Sequence, residues 1–300
     1  MKRVVILHPG DMGSAIGRAL VARGFEVRAC LDGRSDRTRA NARAAGFTLF
    51  PDLEVAVRGA DLVISLVPPS RALEVAEHFA EARAAIAREA GTDPLYVDAN
   101  SVSPVTMERI AAVVSRSGAD CVDGAVLGGA AGVGAATRLL LSGPRAAEIA
   151  AVFQGCIRVE ALGDALGSAS ALKMCFAAFN KGLVALFLET VAASAKIGQA
   201  ENLLALLAEF YDGAVSTVDR LLPSYPRHVS RRIDELAEIE GWLGGLQQGR
   251  GMTSGARSVF EALALTALDP DHDWTARGVV EAALERGLLS TTTPASSTDP

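Results

Sequence analysis

One lysine stands where an ammonium group is hard to place. Lys173 lies near the start of an apolar run that continues through LVALFLETVAASAKI to Ile197 without a proline. The approach to it, Gly167-Ser168-Ala169-Ser170-Ala171, is built of small residues, which let a helix start lie close to a ligand. An ammonium so placed must find a partner or face a cleft. In a cleft it can hold and move a proton, and positioned proton transfer is worth about 10²–10⁴-fold in rate. The plain alternative is a structural lysine, its stem along apolar surface and its head in water.

A second group of residues suits a phosphate. The β-branched run RVVILH (3–8) reads as a buried strand, the turn Pro9-Gly10-Asp11-Met12-Gly13 follows, and Ser14 to Arg23 has helical spacing. Strand, glycine turn and helix open a dinucleotide-binding fold, in which the helix amides and dipole hold a pyrophosphate. Of the pattern G-x-G-x-x-G, Gly10 and Gly13 fill two places and His8 stands in the first. An ordinary tight turn fits the same letters.

Asp32 ends the next strand about twenty residues on, where an acidic residue can bond a ribose hydroxyl. Arg34, Ser35 and Arg37 follow directly, and guanidinium forks with a serine hydroxyl suit a 2′-phosphate. From Arg28 to Arg43 five arginines face two aspartates, which tips the reading to NADP, with NAD as the alternative.

The elements that must position these groups alternate. Strands are expected at 26–31, 47–50, 61–67, 95–98, 121–125, 138–142 and 157–160, with helices between them, so the first half reads as a doubly wound parallel sheet. Ligands of such sheets bind beyond the carboxyl ends of the strands. That rule gathers Gly10 to Gly13, Asp32 to Arg37, Val67-Pro68-Pro69-Ser70 and Asn100-Ser101 on one rim, with Val67, Pro68 and Asn100 expected at the cofactor. Beyond it, Leu127-Gly128-Gly129 opens a glycine-rich loop whose amides could meet an anion.

The run from Gly167 to Ile197 is apolar on every side, yet it carries Ser170, Lys173, Asn180, Lys181 and Glu189, which argue against a membrane span. It reads as a long buried helix. After it come helices alone, broken at Pro223, Pro226, Gly249–Gly251 and Asp269-Pro270. The expected division is therefore a Rossmann domain at 1–162, an all-helical substrate and dimerisation domain at 163–290 and a disordered tail at 291–300, with a cleft between the two domains. So apolar a helix is hard to cover in so small a domain, and a second subunit is its simplest cover.

The bulk numbers bound the partners. The formal charge is −6, from 29 Lys+Arg against 35 Asp+Glu, with no basic stripe, so no nucleic-acid partner is expected. Cys30, Cys121, Cys156 and Cys175 show neither paired nor metal-like spacing, and no metal or disulfide is expected. The opening Met1-Lys2-Arg3 precedes too short an apolar run for a secretory leader. A cytoplasmic protein without a membrane partner is expected. The one basic cluster of the second half, 227–232, contains His228. It reads either as a solvated helix start or as a hand for a substrate anion.

Taken together, these motifs resemble the 6-phosphogluconate dehydrogenase and β-hydroxyacid dehydrogenase superfamily over about residues 3–197. The segment Asp98-Ala99-Asn100-Ser101-Val102-Ser103-Pro104 is similar to its D-x-S-T-x-x-P, with Asn100-Ser101 for Ser-Thr. Asp123-Gly124-Ala125-Val126-Leu127-Gly128-Gly129 resembles its substrate loop D-A-P-V-S-G-G, with Leu127 for the serine. Gly167 to Lys173 resembles G-x-G-x-x-x-K, whose lysine is the family's acid/base. The family's asparagine one turn later is Ala177 here, and Asn180 lies a further turn along.

The resemblance implies an NAD(P)-dependent oxidoreductase that moves hydride between nicotinamide and a small, anionic hydroxy acid or related carbonyl compound. Lys173 and Asn180 would be its catalytic pair, with Ser101, Leu127, Gly128 and Gly129 at the substrate; His228 joins them if the basic cluster reaches over the cleft. The wording ASALKM…KG is most similar to a subgroup with a phosphogluconate-dehydrogenase-like C-terminal domain and no settled substrate. An imine reductase on the same fold and a non-catalytic nucleotide-binding protein are the alternatives. If the arginines read a 2′-phosphate, NADPH binds more tightly than NADH, and Arg34→Ala weakens NADPH by about 1–3 kcal/mol while barely touching NADH. Titration of both cofactors against both proteins checks this, and equal wild-type affinities refute it.

Overall fold

The computed structural model describes residues 2–31, 35–86, 94–247, 249 and 251–289. The chain divides into two compact units, Met1–Cys175 and Phe176–Pro300.

The first unit is an eight-stranded sheet. Its strands are β1 (Arg3–Leu7), β2 (Glu26–Cys30), β3 (Thr48–Phe50), β4 (Leu62–Ser65), β5 (Leu95–Asp98), β6 (Asp120–Leu127), β7 (Arg138–Ser142) and β8 (Arg158–Ala161). They lie in the order β3-β2-β1-β4-β5-β6-β7-β8. Helices α1 (Asp11–Ala22), α2 (Asp36–Ala44), α3 (Leu53–Val57), α4 (Ala72–Ala85), α5 (Pro104–Arg116) and α6 (Ala146–Phe153) connect them.

The central strands are apolar over most of their length because both faces are covered. In β1, Val4 and Ile6 join a core with Ile16 and Leu20 of α1 and Ile149 and Phe153 of α6. Val5 and Leu7 face the opposite core, with Phe79 of α4 and Met107 and Ile110 of α5. Consecutive side chains of a strand point to opposite faces, so a strand covered on both sides shows no alternation.

The order of the first six strands reverses between β1 and β4, the place where a doubly wound sheet opens a crevice. The sheet departs from the all-parallel expectation at one seam. β6 and β7 pair antiparallel, Asp123 against Ser142 and Leu127 against Arg138. The loop between them is too short for a crossover helix, so the chain must turn back on itself.

The long helix α7 (Ser168–Lys196) is present, but its relation to the units differs from expectation. The division falls inside it, after Cys175, rather than at 162/163. The reason is physical, since its first turn is hydrogen-bonded to the sheet. Nor is α7 buried all round. Leu172, Phe176, Phe179 and Leu186 are exposed, at 49–72 % of their full surface, with spacings of four, three and seven that place them in one stripe.

The second unit contains the rest of α7, then α8 (Ala200–Phe210), α9 (Asp212–Leu221), α10 (Tyr225–Gly245), α11 (Gly251–Leu265) and α12 (Ala276–Glu285). Pro226, expected as a break, lies inside the first turn of α10 instead. Proline is tolerated there because that N–H has no helical partner to lose. α10 packs on α11 through Tyr225 and Phe260, edge to face at 5.0 Å. Lys181 of α7, nearly without exposed surface, is ion-paired to Glu235 of α10 at 2.8 Å. The expected tail at 291–300 lies outside the described residues.

Candidate active site

The turn after β1 has the features of an anion cradle. Gly10 is the N-cap of α1, and no side chain caps the helix. A Cβ built on Gly10 would meet nothing within 4 Å, so the turn faces open space. The hydroxyl of Ser14, in the first turn of α1, is buried and has no partner. Open backbone, uncapped amides and an orphaned hydroxyl together fit a pyrophosphate. Asp11 is exposed in the same turn, with Met12 half-buried beside it.

Gly13 and Gly17 serve packing instead. A Cβ on Gly13 would sit 3.2 Å from Ile6, and one on Gly17 only 2.0 Å from Phe47. Gly17 escaped the sequence reading because it hides inside a helical run. His8, in the first-glycine place, has φ +52°, the left-handed region that glycine adopts without cost.

At the end of β2 the cofactor question stays with the sequence. Asp32 and Arg34 lie outside the described residues, as does the side chain of Arg37. Ser35 is described. Its hydroxyl accepts from the Thr38 N–H at 3.3 Å as the N-cap of α2.

The carboxyl ends of β4 and β5 are stapled by Asn100. Its amide nitrogen donates to Ser65 Oγ at 3.0 Å and to Asp98 Oδ2 at 2.8 Å. Its amide oxygen accepts from the Val67 N–H at 2.6 Å. Asn100 is therefore buried, and its side chain is turned into the sheet edge rather than out to a cofactor. It holds Val67 and Pro68 in place on the rim. Its main-chain oxygen is what it offers outward, and Lys173 Nζ donates to that oxygen at 3.4 Å. Ser101, next along, is half-buried.

Lys173 arrives there because α7 is fastened to β6. Asp123, fully buried, accepts from the Ser170 N–H at 2.9 Å, the Ser170 hydroxyl at 2.6 Å and the Ser142 hydroxyl at 2.9 Å. Ser142 Oγ in turn accepts from the Ala169 N–H at 3.0 Å. A carboxylate at a helix N-terminus satisfies free amides and complements the dipole. Three residues beyond Ser170, just short of one turn, Lys173 is carried to the ends of β4 and β5.

The neighbouring acid is unusual. Asp98 lies in register with Asp123 on the adjacent strand, and neither is exposed. Burial pushes the Asp98 carboxyl up to about 7, the bonds from Asn100 oppose that, Asp123 adds to the rise and Lys173 counters it. An acid raised in the folded state takes up a proton on folding. Its contribution to stability therefore falls as pH climbs from the ordinary carboxylate range to about 7.

The glycine loop is fastened to the residue just before β7. Gly128 has φ +119°, and a Cβ there would lie 2.7 Å from Thr137 Oγ1. Thr137, fully buried and missed in the sequence, donates its hydroxyl to Gly129 O at 2.6 Å. Gly128 and Gly129 are exposed, and Leu127 beside them is half-buried.

Asn180 and His228 belong to the second unit. There, Arg232 covers the Tyr225 ring at 3.9 Å and donates to Ser224 Oγ at 2.7 Å, while Arg227 donates to Pro270 O and Asp271. Much of the basic cluster is thus engaged within its own unit.

Comparison with known proteins places the chain in a family. The NAD binding domain of 6-phosphogluconate dehydrogenase matches residues 6–155. This chain belongs to the 6-phosphogluconate dehydrogenase and β-hydroxyacid dehydrogenase superfamily. A domain of unknown function (DUF1932) matches residues 195–263 in the helical unit. A 28.5 kDa protein of Methanothermus fervidus is 31% identical over 246 residues, covering 80% of this chain and 90% of its own. Among solved structures, Mycobacterium tuberculosis 3-hydroxyisobutyrate dehydrogenase with L-serine has a TM-score of 0.71 at 21% identity, over 94% of this chain and 98% of that one. Reductive aminase from Aspergillus terreus with NADPH and ethyl levulinate has 0.58 at 18%, over 94% and 98%. At those identities the two structures share the fold.

The two glycines of the turn should separate cleanly. Gly10→Val points into open space, so it should leave the melting temperature within a few degrees and abolish NADPH binding. Gly17→Val overpacks against Phe47 and should cost about 1–3 kcal/mol of stability. Thermal melts with fluorescence titration of NADPH check both. A Gly10→Val protein that still binds NADPH normally would show that this turn does not hold the phosphates.

Proposed function

We propose that this chain is an NAD(P)-dependent oxidoreductase acting on a small hydroxy acid or related carbonyl compound, with Lys173 as general acid/base. The observation that carries the reading is Lys173 Nζ on the main-chain oxygen of Asn100, at the carboxyl edge of a dinucleotide-binding sheet. A bound nicotinamide would supply the hydride acceptor or donor for the substrate carbon that bears the oxygen. Gly10 and the first amides of α1 hold the pyrophosphate, with the Ser14 hydroxyl behind them. Lys173 takes the proton of the substrate hydroxyl in the oxidising direction and returns it in the reducing one. The exposed amides of Gly128 and Gly129 receive the substrate's anionic end, and Ser101 and Leu127 line its place. NADP is the cofactor favoured by Arg34 and Arg37, and the cytoplasm the setting favoured by four free thiols.

The exposed stripe Leu172, Phe176, Phe179 and Leu186 supports a homodimer in which α7 is covered by a second copy. By length and composition α7 is also apolar enough to cross a membrane. Its anchorage through Ser170 to Asp123 and through Lys181 to Glu235 favours a place in a globular body. A mass of 31.1 kDa by light scattering, that of one chain, would end the dimer proposal.

The likeness to a reductive aminase keeps imine reduction as a second reading. Lys173→Ala divides the cases. With hydroxy acids and NADP it should cut turnover by about 10²–10⁴-fold at nearly constant cofactor affinity. Lys173→Arg should rescue little, since guanidinium does not give up its proton near neutral pH. Steady-state rates over a panel of hydroxy acids and imines check this, and full turnover by Lys173→Ala sinks the acid/base role.

A further inference from the structure

The reaction as described leaves Asp98 idle, yet a buried carboxylate is costly and a residue chosen for packing alone would be apolar. Its bonds show what it holds. Asp98 accepts from both the main-chain N–H and the amide of Asn100, at 3.2 and 2.8 Å. Ser65 and the Val67 N–H take the rest of that amide, so Asn100 cannot turn by itself. The oxygen that Asn100 then presents is the one that receives the Lys173 ammonium.

We propose that Asp98 is the positioning residue of Lys173: it fixes the carbonyl that receives the ammonium, and its own charge biases the lysine toward the protonated state. The catalytic meaning rests on the reading of Lys173 as acid/base, but the coupling itself does not.

The groups that act on Asp98 are Asp123 from β6, Lys173 from α7 and Asn100 beside it. Tyr96 of β5 and Cys121 of β6 feel Asp98 in return. Burial pushes the Tyr96 and Cys121 protons well above their ordinary range, so both stay neutral near pH 7. Asp123 is occupied by three donors. Lys173 is the cation of this set, and it senses the Asp98 charge directly. Because the Asp98 carboxyl titrates at about 7, that charge is switched within the neutral range.

The chain has four lysines, Lys2, Lys173, Lys181 and Lys196, which makes the test tractable. Protein grown on ε-carbon-labelled lysine gives one NMR signal for each, and the Lys173 signal is the one missing from Lys173→Arg. In the wild type that signal should step near pH 7 as Asp98 protonates, separately from the amine's own titration. In Asp98→Asn the step should vanish and the amine midpoint should fall. Identical Lys173 titrations in wild type and Asp98→Asn overturn the proposal. Should Asp98→Asn fail to fold, the wild type decides alone, because a Lys173 signal without a step near pH 7 overturns it equally. Full turnover by Lys173→Ala would remove the catalytic reading and leave the titration result standing.

Discussion

Two carboxylates, Asp98 and Asp123, face each other across β5 and β6 with no exposure to water. Like charges so placed repel, and each would be expensive without donors. The chain supplies donors from far apart in sequence. Asp123 is met by Ser142 of β7 and by the first turn of α7, and Asp98 by Asn100, itself held by Ser65 and Val67. Satisfying the acids therefore fixes where α7 begins and how the rim loops after β4 and β5 lie. Lys173 inherits its position from both. Losing one partner would strand a buried charge, which is why these bonds constrain the site more tightly than surface ion pairs could.

Much of this was legible in the sequence, for reasons tied to particular residues. β1, β4 and β5 are buried on both faces, so RVVIL, LVIS and LYVD read as apolar runs without alternation, each with one polar residue at an end. Gly10 and Gly13 marked the turn, and the small-residue approach marked Lys173. The β6–β7 seam was not legible, because an apolar run carries no direction. Gly17 and Thr137 were missed because their constraint comes from Phe47 and Gly128, partners that spacing does not reveal. Asn100 follows the end of β5, as its place in the sequence suggests, but only its bonds show that its amide points inward. Asp123, Ser142 and Ser170 form one cluster across 47 residues of sequence, which no local motif encodes.

Buried charge also organises the helical unit, with a different outcome. Lys181 is paired with Glu235, and Arg231 approaches the same carboxylate at 3.6 Å. Burial pulls the Lys181 proton affinity down and Glu235 holds it up. Replacing such a pair with apolar side chains is often neutral for stability, so its value lies in register. It ties one face of α7 to one face of α10.

The sheet has two open sides, and their composition has a consequence for how copies of the protein meet. β3 on one side is only three residues long. β8 on the other alternates Arg158 and Glu160 with little apolar surface between them. Unpaired strand backbones are templates for adding further strands, and short or charged strands blunt that tendency. Both outer strands of the first unit therefore offer a poor template for a continuous intermolecular sheet.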